Sequence, residues 1–276
     1  MKAFNTFAMG LDLANNAFKL AWKHKQLFFY SAIATLLLFA IGLSTYFFVD
    51  FPSKDVFNIL NNTNFNTFIT NIAHTTSIPL KYGIVGLVFC IVVAISTFLY
   101  VALAKHTQRI IEHQHATIGQ SLFGAMHKLP TIFLITLLSC IPLLLHFFLP
   151  NSWPTSIIQM IWDALFILVV PICALYHISL LHNIKTAVRI GVQHILPLIG
   201  GSIWIGIATA LVALMALTPL LVIGIFTRDL YNSADQLPLW FSISILIIIL
   251  PLKAYVLEAQ WIFGVLMVDR FYKENK

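Results

Sequence analysis

The stretch LFFYSAIATLLLFAIGLSTYFFV, Leu27–Val49, contains no charged residue. About 20 apolar residues suffice for a helix to cross the roughly 30 Å hydrocarbon core of a bilayer. The run is too long, and begins too far into the chain, to be the apolar part of a secretory signal. It reads as a first transmembrane helix. Five further runs follow: Tyr82–Ala104, Leu129–Leu149, Ile157–Leu181, Ile195–Thr227 and Leu239–Val268. The last two exceed the minimum and contain Pro219 and Pro251, so tilt or a kink is expected to absorb the excess. The expectation is an all-α polytopic protein with six spans, at 27–49, 82–104, 129–149, 157–181, 195–227 and 239–268.

Composition agrees. Of 276 residues, 59% are hydrophobic and 9% charged, and the mean hydropathy is +0.90. A 31.1 kDa globule has too much surface to hide that many apolar side chains from water. A soluble enzyme, a disulfide scaffold and a disordered chain are thereby excluded. The three cysteines, Cys90, Cys140 and Cys173, lie inside apolar runs without a CxxC pair, which argues against a disulfide framework or zinc. The net charge of +6 concerns the two sides of a membrane rather than nucleic acid. Twelve Lys and Arg fall in the N-terminal segment, the 105–128 and 182–194 connections and the C-terminal tail; only Lys54, Lys81 and Arg228 fall in the opposite loops. Positively charged loops stay inside, which assigns both termini to the cytoplasm. That side is also where anionic lipid headgroups are the expected partners.

Three segments leading into spans one, three and five align. They are Ala17-Phe-Lys-Leu-Ala21-Trp22-Lys23-His24, Ser121-Leu-Phe-Gly-Ala125-Met126-His127-Lys128 and Ala187-Val-Arg-Ile-Gly191-Val192-Gln193-His194. Each has small residues at i and i+4, which share a helical face and permit close packing. Each ends in a polar or basic pair. The reading is three parallel repeats of an amphipathic helix plus a transmembrane hairpin, at about 10–104, 115–181 and 183–268, in one membrane domain.

The lead-in Gly10-Leu-Asp-Leu-Ala14 with Phe18-Lys-Leu-Ala21-Trp22-Lys23 resembles one group of uncharacterised bacterial membrane proteins. So do Ala116-Thr117-Ile118-Gly119 with Ser121-Leu122, and Pro171 with Ile184-Lys-Thr-Ala187-Val188. That group is more distantly similar to the membrane domain of glycerophosphoryl diester phosphodiesterases. The resemblance implies a six-helix protein of the bacterial inner membrane. It carries over no phosphodiesterase activity, since only eight residues follow Val268.

Ionisable groups inside apolar runs are the first candidates for function. They are Asp163 and His177 in the fourth run and Lys253 and Glu258 in the sixth. Lys253 and Glu258 stand about 140° apart on a helix, so they do not share a face. Two readings remain open. Either Lys253–Lys273 is an interfacial helix, or Lys253 or Glu258 faces a polar cavity with Asp163 or His177. The histidines His106, His113, His115 and His127, near Glu112, read as a headgroup-facing set, because no HExxH or i,i+4 pair supports a metal. Asn- and Thr-rich 51–81 reads as lying along the outer interface on a face of Phe57, Leu60, Phe65, Phe68, Ile69 and Ile72. No catalytic motif and no cofactor site is found, so the expected role is non-enzymatic membrane organisation or lipid or partner binding. A small-solute or lipid transporter with a polar site between spans four and six is the alternative. A fluorescent protein that matures only in the cytoplasm should be bright when fused after Lys276. A dark fusion would reverse the assigned orientation.

Overall fold

The computed structural model describes residues 2–48, 78–148, 153–176, 179–227 and 239–274, all without strands. His177 and the outer face expected at 57–72 lie outside the described residues. In chain order the helices are α1 (Lys2–Lys23), α2 (Phe28–Phe48), α3 (Ile78–Ile111), α4 (Ile118–Met126), α5 (Leu129–Phe148), α6 (Trp153–Leu175), α7 (Leu180–Gln193), α8 (Ile195–Thr227) and α9 (Leu239–Glu274).

Three segments are long and apolar enough to cross a membrane: Gly86–Ile111 in α3, Ile195–Met215 in α8 and Ile249–Tyr272 in α9. α4 and α5, bent by 75° at His127–Lys128, pass the same test as a pair. The described apolar parts of α2 and α6, Phe28–Phe39 and Ile161–Leu175, are shorter. The structure also shifts the expected boundaries. α3 continues to Ile111, seven residues past the expected end of its span, because Lys105–Ile111 has no Gly or Pro to stop it. An apolar run ends where charge begins, and a helix need not. Likewise Pro251 does not break α9, which runs unbroken from Leu239 to Glu274. Lys253–Lys273 is therefore no separate helix. Its positions 254–271 are mostly buried against other helices.

All three lead-in segments are helical and stop at the polar pair. α1 ends at Lys23, α4 at Met126 and α7 at Gln193, and an apolar helix restarts within five residues. Their small residues face inward: Ala17, Ala21, Ser121, Ala125 and Ala187 are buried, and Gly191 is half-buried against Leu168. Thr117 caps α4, its hydroxyl accepting from the Gln120 amide at 3.3 Å.

The core forms where α1 lies along α8 and α9 and where α9 crosses α2, α3 and α6. Backbone proximity, made possible by glycine, sets both junctions. Gly10 of α1 abuts the Pro197 carbonyl, and a Cβ on Gly200 would stand 2.6 Å from the Phe7 carbonyl oxygen. Gly201 faces the ring of Phe263, and Gly264 faces both the Ile167 carbonyl and the Tyr100 hydroxyl. By contrast, Ile203, Trp204, Ile207, Leu211, Leu214 and Met215 of α8 turn outward. An apolar stripe of this kind suits hydrocarbon, which cannot hydrogen-bond.

These contacts invert a usual sign. Gly→Ala in a helix normally stabilises by about 0.5–1 kcal/mol. Gly206→Ala, where a Cβ meets open space, should do so. Gly10→Ala and Gly201→Ala should instead destabilise by about 1–3 kcal/mol through overpacking. Thermal unfolding in detergent separates the two groups, and equal effects would refute the close approach.

Candidate functional site

Three of the four ionisable residues singled out in the sequence fall within the described residues. Asp163 on α6 and Lys253 on α9 are exposed, and His177 lies outside the described residues. Glu258 is the exception, being fully buried on α9. On that helix it stands between Tyr255, whose hydroxyl donates to the Phe18 carbonyl of α1 at 3.0 Å, and Trp261, stacked on Tyr100 of α3 at 4.8 Å. Neither Glu258 oxygen has a hydrogen-bond partner among the described residues. Gly264, which touches α6 at Ile167, is about 120° around α9 from Glu258.

Another group of residues converges. A cavity of about 570 Å³ opens between the α1–α2 turn, the last turns of α3 and the α3–α4 link. It is lined by His24, His106, His113, His115, Lys23 and Lys25, with Gln26 and Gln114 adding amides. Among the described residues no acidic side chain lines it. Glu112, the nearest acid in sequence, is hydrogen-bonded by the Gln108 and Gln114 side-chain amides, the latter at 3.1 Å. Of the histidines grouped in the sequence, His106, His113 and His115 belong here and His127 does not. Its Nδ1 lies 3.0 Å from the Phe123 carbonyl of its own helix.

Local structure explains how each wall is held. His24 begins a tight turn, its amide donating to the Leu20 carbonyl and its own carbonyl accepting from Leu27, both at 2.9 Å. Leu27 and Tyr30 are wholly buried, which anchors that turn. The Tyr30 hydroxyl lies 3.0 Å from His106 Nδ1 and 3.5 Å from the Ile118 carbonyl, joining α2, α3 and α4. Arg109 is drawn to α4 by a 2.9 Å bond from Nη1 to Gln120 Oε1. Burial, and then the charge of Lys23, hold His24 below the ordinary histidine value of 6.5.

His113 ends α3 in an unusual way. Its φ of 57° lies in the left-handed region. The Gln114 amide donates to the Arg109 carbonyl at 2.8 Å and the His113 amide to the Ile110 carbonyl at 3.1 Å. That double bond pattern closes a helix with a residue for which glycine is preferred. A left-handed residue with a Cβ carries about 1–2 kcal/mol of strain. Here the strain places an imidazole on the cavity wall.

Chemically, the cavity offers cations and N–H donors. That combination suits phosphate or carboxylate oxygens. Metal binding has no such support: among the described residues no three His, Cys, Asp or Glu side chains come together as a ligand set. Sequence reading named Lys23 and His24 as the polar pair ending a lead-in helix but did not join them, or Lys25, to His106, some 80 residues away. The signal that could have found them is the Lys23-His24-Lys25 cluster immediately before an apolar run.

Relief of the strain is measurable. His113→Gly should raise stability by about 1 kcal/mol, while Tyr30→Phe should lower it by about 1 kcal/mol through loss of a buried hydrogen bond. Denaturation in detergent reads both, and a destabilised His113→Gly would show that the imidazole holds the turn. Comparison with protein-family models, curated proteins and solved structures finds no match to this chain.

Proposed function

We propose that this protein is a non-catalytic integral membrane protein that binds anionic lipid headgroups in the basic cavity. In this reading six helices cross the inner membrane of a bacterium as three parallel repeats, with both termini and the cavity on the cytoplasmic side. Support for the repeat comes from the three helices that end at a polar pair before an apolar helix. Support for the lipid partner comes chiefly from one observation: four histidines and two lysines share a 570 Å³ cavity with no acidic side chain among the described residues of its wall. Lys and Arg near an anionic bilayer surface contribute about 1 kcal/mol each to attraction. The transporter alternative rests on Glu258, the one acid of the expected set that is buried. It has less behind it, since Asp163 and Lys253 are exposed and Pro251 leaves α9 continuous.

The test is lipid-dependent stabilisation of the purified protein, comparing phosphatidylglycerol with phosphatidylcholine. Phosphatidylglycerol should raise the unfolding temperature, and the effect should shrink with salt. Lys23→Gln with Lys25→Gln should weaken apparent affinity about 25-fold, at about 1 kcal/mol per lysine. Equal stabilisation by both lipids, or no loss in the double variant, would overturn the proposal.

The pH dependence has a definite sign. His24 binds its proton less readily folded than unfolded, so its contribution to stability is lost as pH falls below 6.5. A bound anion opposes that loss. Acidification below 6.5 adds charge at His24 beside Lys23, Lys25, His106, His113 and His115, with Glu112 the nearby acid. Phosphatidylglycerol should therefore stabilise more at pH 5.5 than at pH 7.5, and His24→Gln should flatten the difference.

A further inference from the structure

We infer that Cys90 and Cys140 are a redox-active dithiol whose disulfide ties α3 to α5. In the sequence they are 50 residues apart and look like two unrelated small apolar side chains. In the structure their sulfurs stand 3.1 Å apart. This is the distance of a thiol–thiol contact, about 1 Å beyond the length of a disulfide bond. Cys90 is half-buried and Cys140 is buried, with 6% of its surface exposed. Cys173 is held apart, its sulfur accepting from Asn183 Nδ2 at 3.2 Å. The pair is thus selected by geometry from three cysteines.

The contact arises from helix packing. α3 and α5 pack against each other. Near the pair, Ser139 accepts from Trp162 Nε1 at 3.2 Å, and Thr136 is turned inward on its own helix, donating to the Ile132 carbonyl. The Trp162 bond ties this part of α5 to α6. On α3, Val92 and Thr97 are buried on either side of the exposed Ile91 and Ile95, so Cys90 sits at the margin of the buried face. A small apolar oxidant can approach from that margin.

The chemistry balances as thiol–disulfide exchange with a disulfide as oxidant. One cysteine, as thiolate, attacks the oxidant's disulfide, forming a mixed disulfide and releasing one thiol. The second cysteine attacks the protein sulfur of that mixed disulfide and expels the second thiol. Two protein thiols lose two protons and two electrons, and the oxidant is reduced to two thiols. The resulting crosslink encloses 91–139. That segment carries His106, Ile110, His113, Gln114, His115 and Ala116, more than half of the basic cavity's wall. Oxidation would therefore restrain the α3–α4 link that shapes the cavity, whatever ligand the cavity takes.

The test uses the full-length protein in detergent with 4,4′-dithiodipyridine, an apolar disulfide that releases a chromophoric thiopyridone at each exchange. Wild-type protein should release two thiopyridones from this pair. After proteolysis, mass spectrometry should find the Cys90 and Cys140 peptides joined, with neither carrying a pyridyl adduct. Cys90→Ser should leave an adduct on Cys140, and Cys140→Ser an adduct on Cys90. The oxidised wild type should unfold at higher temperature than the reduced protein, and either serine variant should lose that shift. Because serine is close in size to cysteine, both variants retain the packing. Separate adducts on Cys90 and Cys140 in the wild type, or no reaction at either, would overturn the inference. Neither result depends on whether the cavity binds lipid.

Discussion

Close backbone approach at glycine is the constraint on which the rest of this structure depends. α1 is the least apolar of the long helices, yet it lies along α8 and α9 with Gly10 against Pro197 and Gly200 against Phe7. Any side chain at those positions would push α1 away from α8. Without that seat Tyr255 could not donate to the Phe18 carbonyl, and the edge-to-face contact of Trp22 with Tyr255 would be lost. α1 in turn delivers Lys23 and His24 to the mouth of the cavity. One steric condition at a glycine is thus transmitted along α1, from Gly10 to Lys23, to a site made of charge.

A second junction does for α3, α6 and α9 what the first does for α1. Tyr100 is wholly buried, donates to the Ile167 carbonyl at 2.9 Å and stacks on Trp261 within 9° of parallel. Gly264 leaves room for both the hydroxyl and the carbonyl. A buried tyrosine needs a partner for its hydroxyl, and this one finds it across a helix boundary. The hydrogen bond and the stack together fix the height of α3, and hence of His106, which stands six residues further along the same helix.

What the sequence reveals follows from which interactions are local. The inward turn of Ala17, Ala21, Ser121, Ala125 and Ala187 was legible because i,i+4 spacing puts small residues on one helical face. The separation of Lys253 from Glu258 was legible for the same reason: five residues make about 140°, and one side chain is exposed while the other is buried. Helix ends were less legible. Loss of hydropathy at Lys105 marked the end of an apolar run, but nothing there interrupts hydrogen bonding until His113. The cavity was legible only in its parts, the 106–115 histidines and the Lys23-His24 pair, and the Cys90–Cys140 contact could not be read at all. Both join residues 50 or more apart through packing, and no period in the sequence encodes which face of α3 meets α5 or α2.

The location of unmet charge bears on function. The cavity gathers cations while the acid nearest in sequence, Glu112, is hydrogen-bonded by two glutamine amides. A cluster of like charges is self-repelling, and a protein under selection for stability alone would gain by turning Glu112 inward. Instead the acid is held outside the wall and His113 is kept in a strained conformation that glycine would relieve. Two separate costs fall on the same few residues. That coincidence favours a ligand that supplies the missing negative charge from outside the chain, and it sets this site apart from Glu258, where a single buried acid accounts for one cost only.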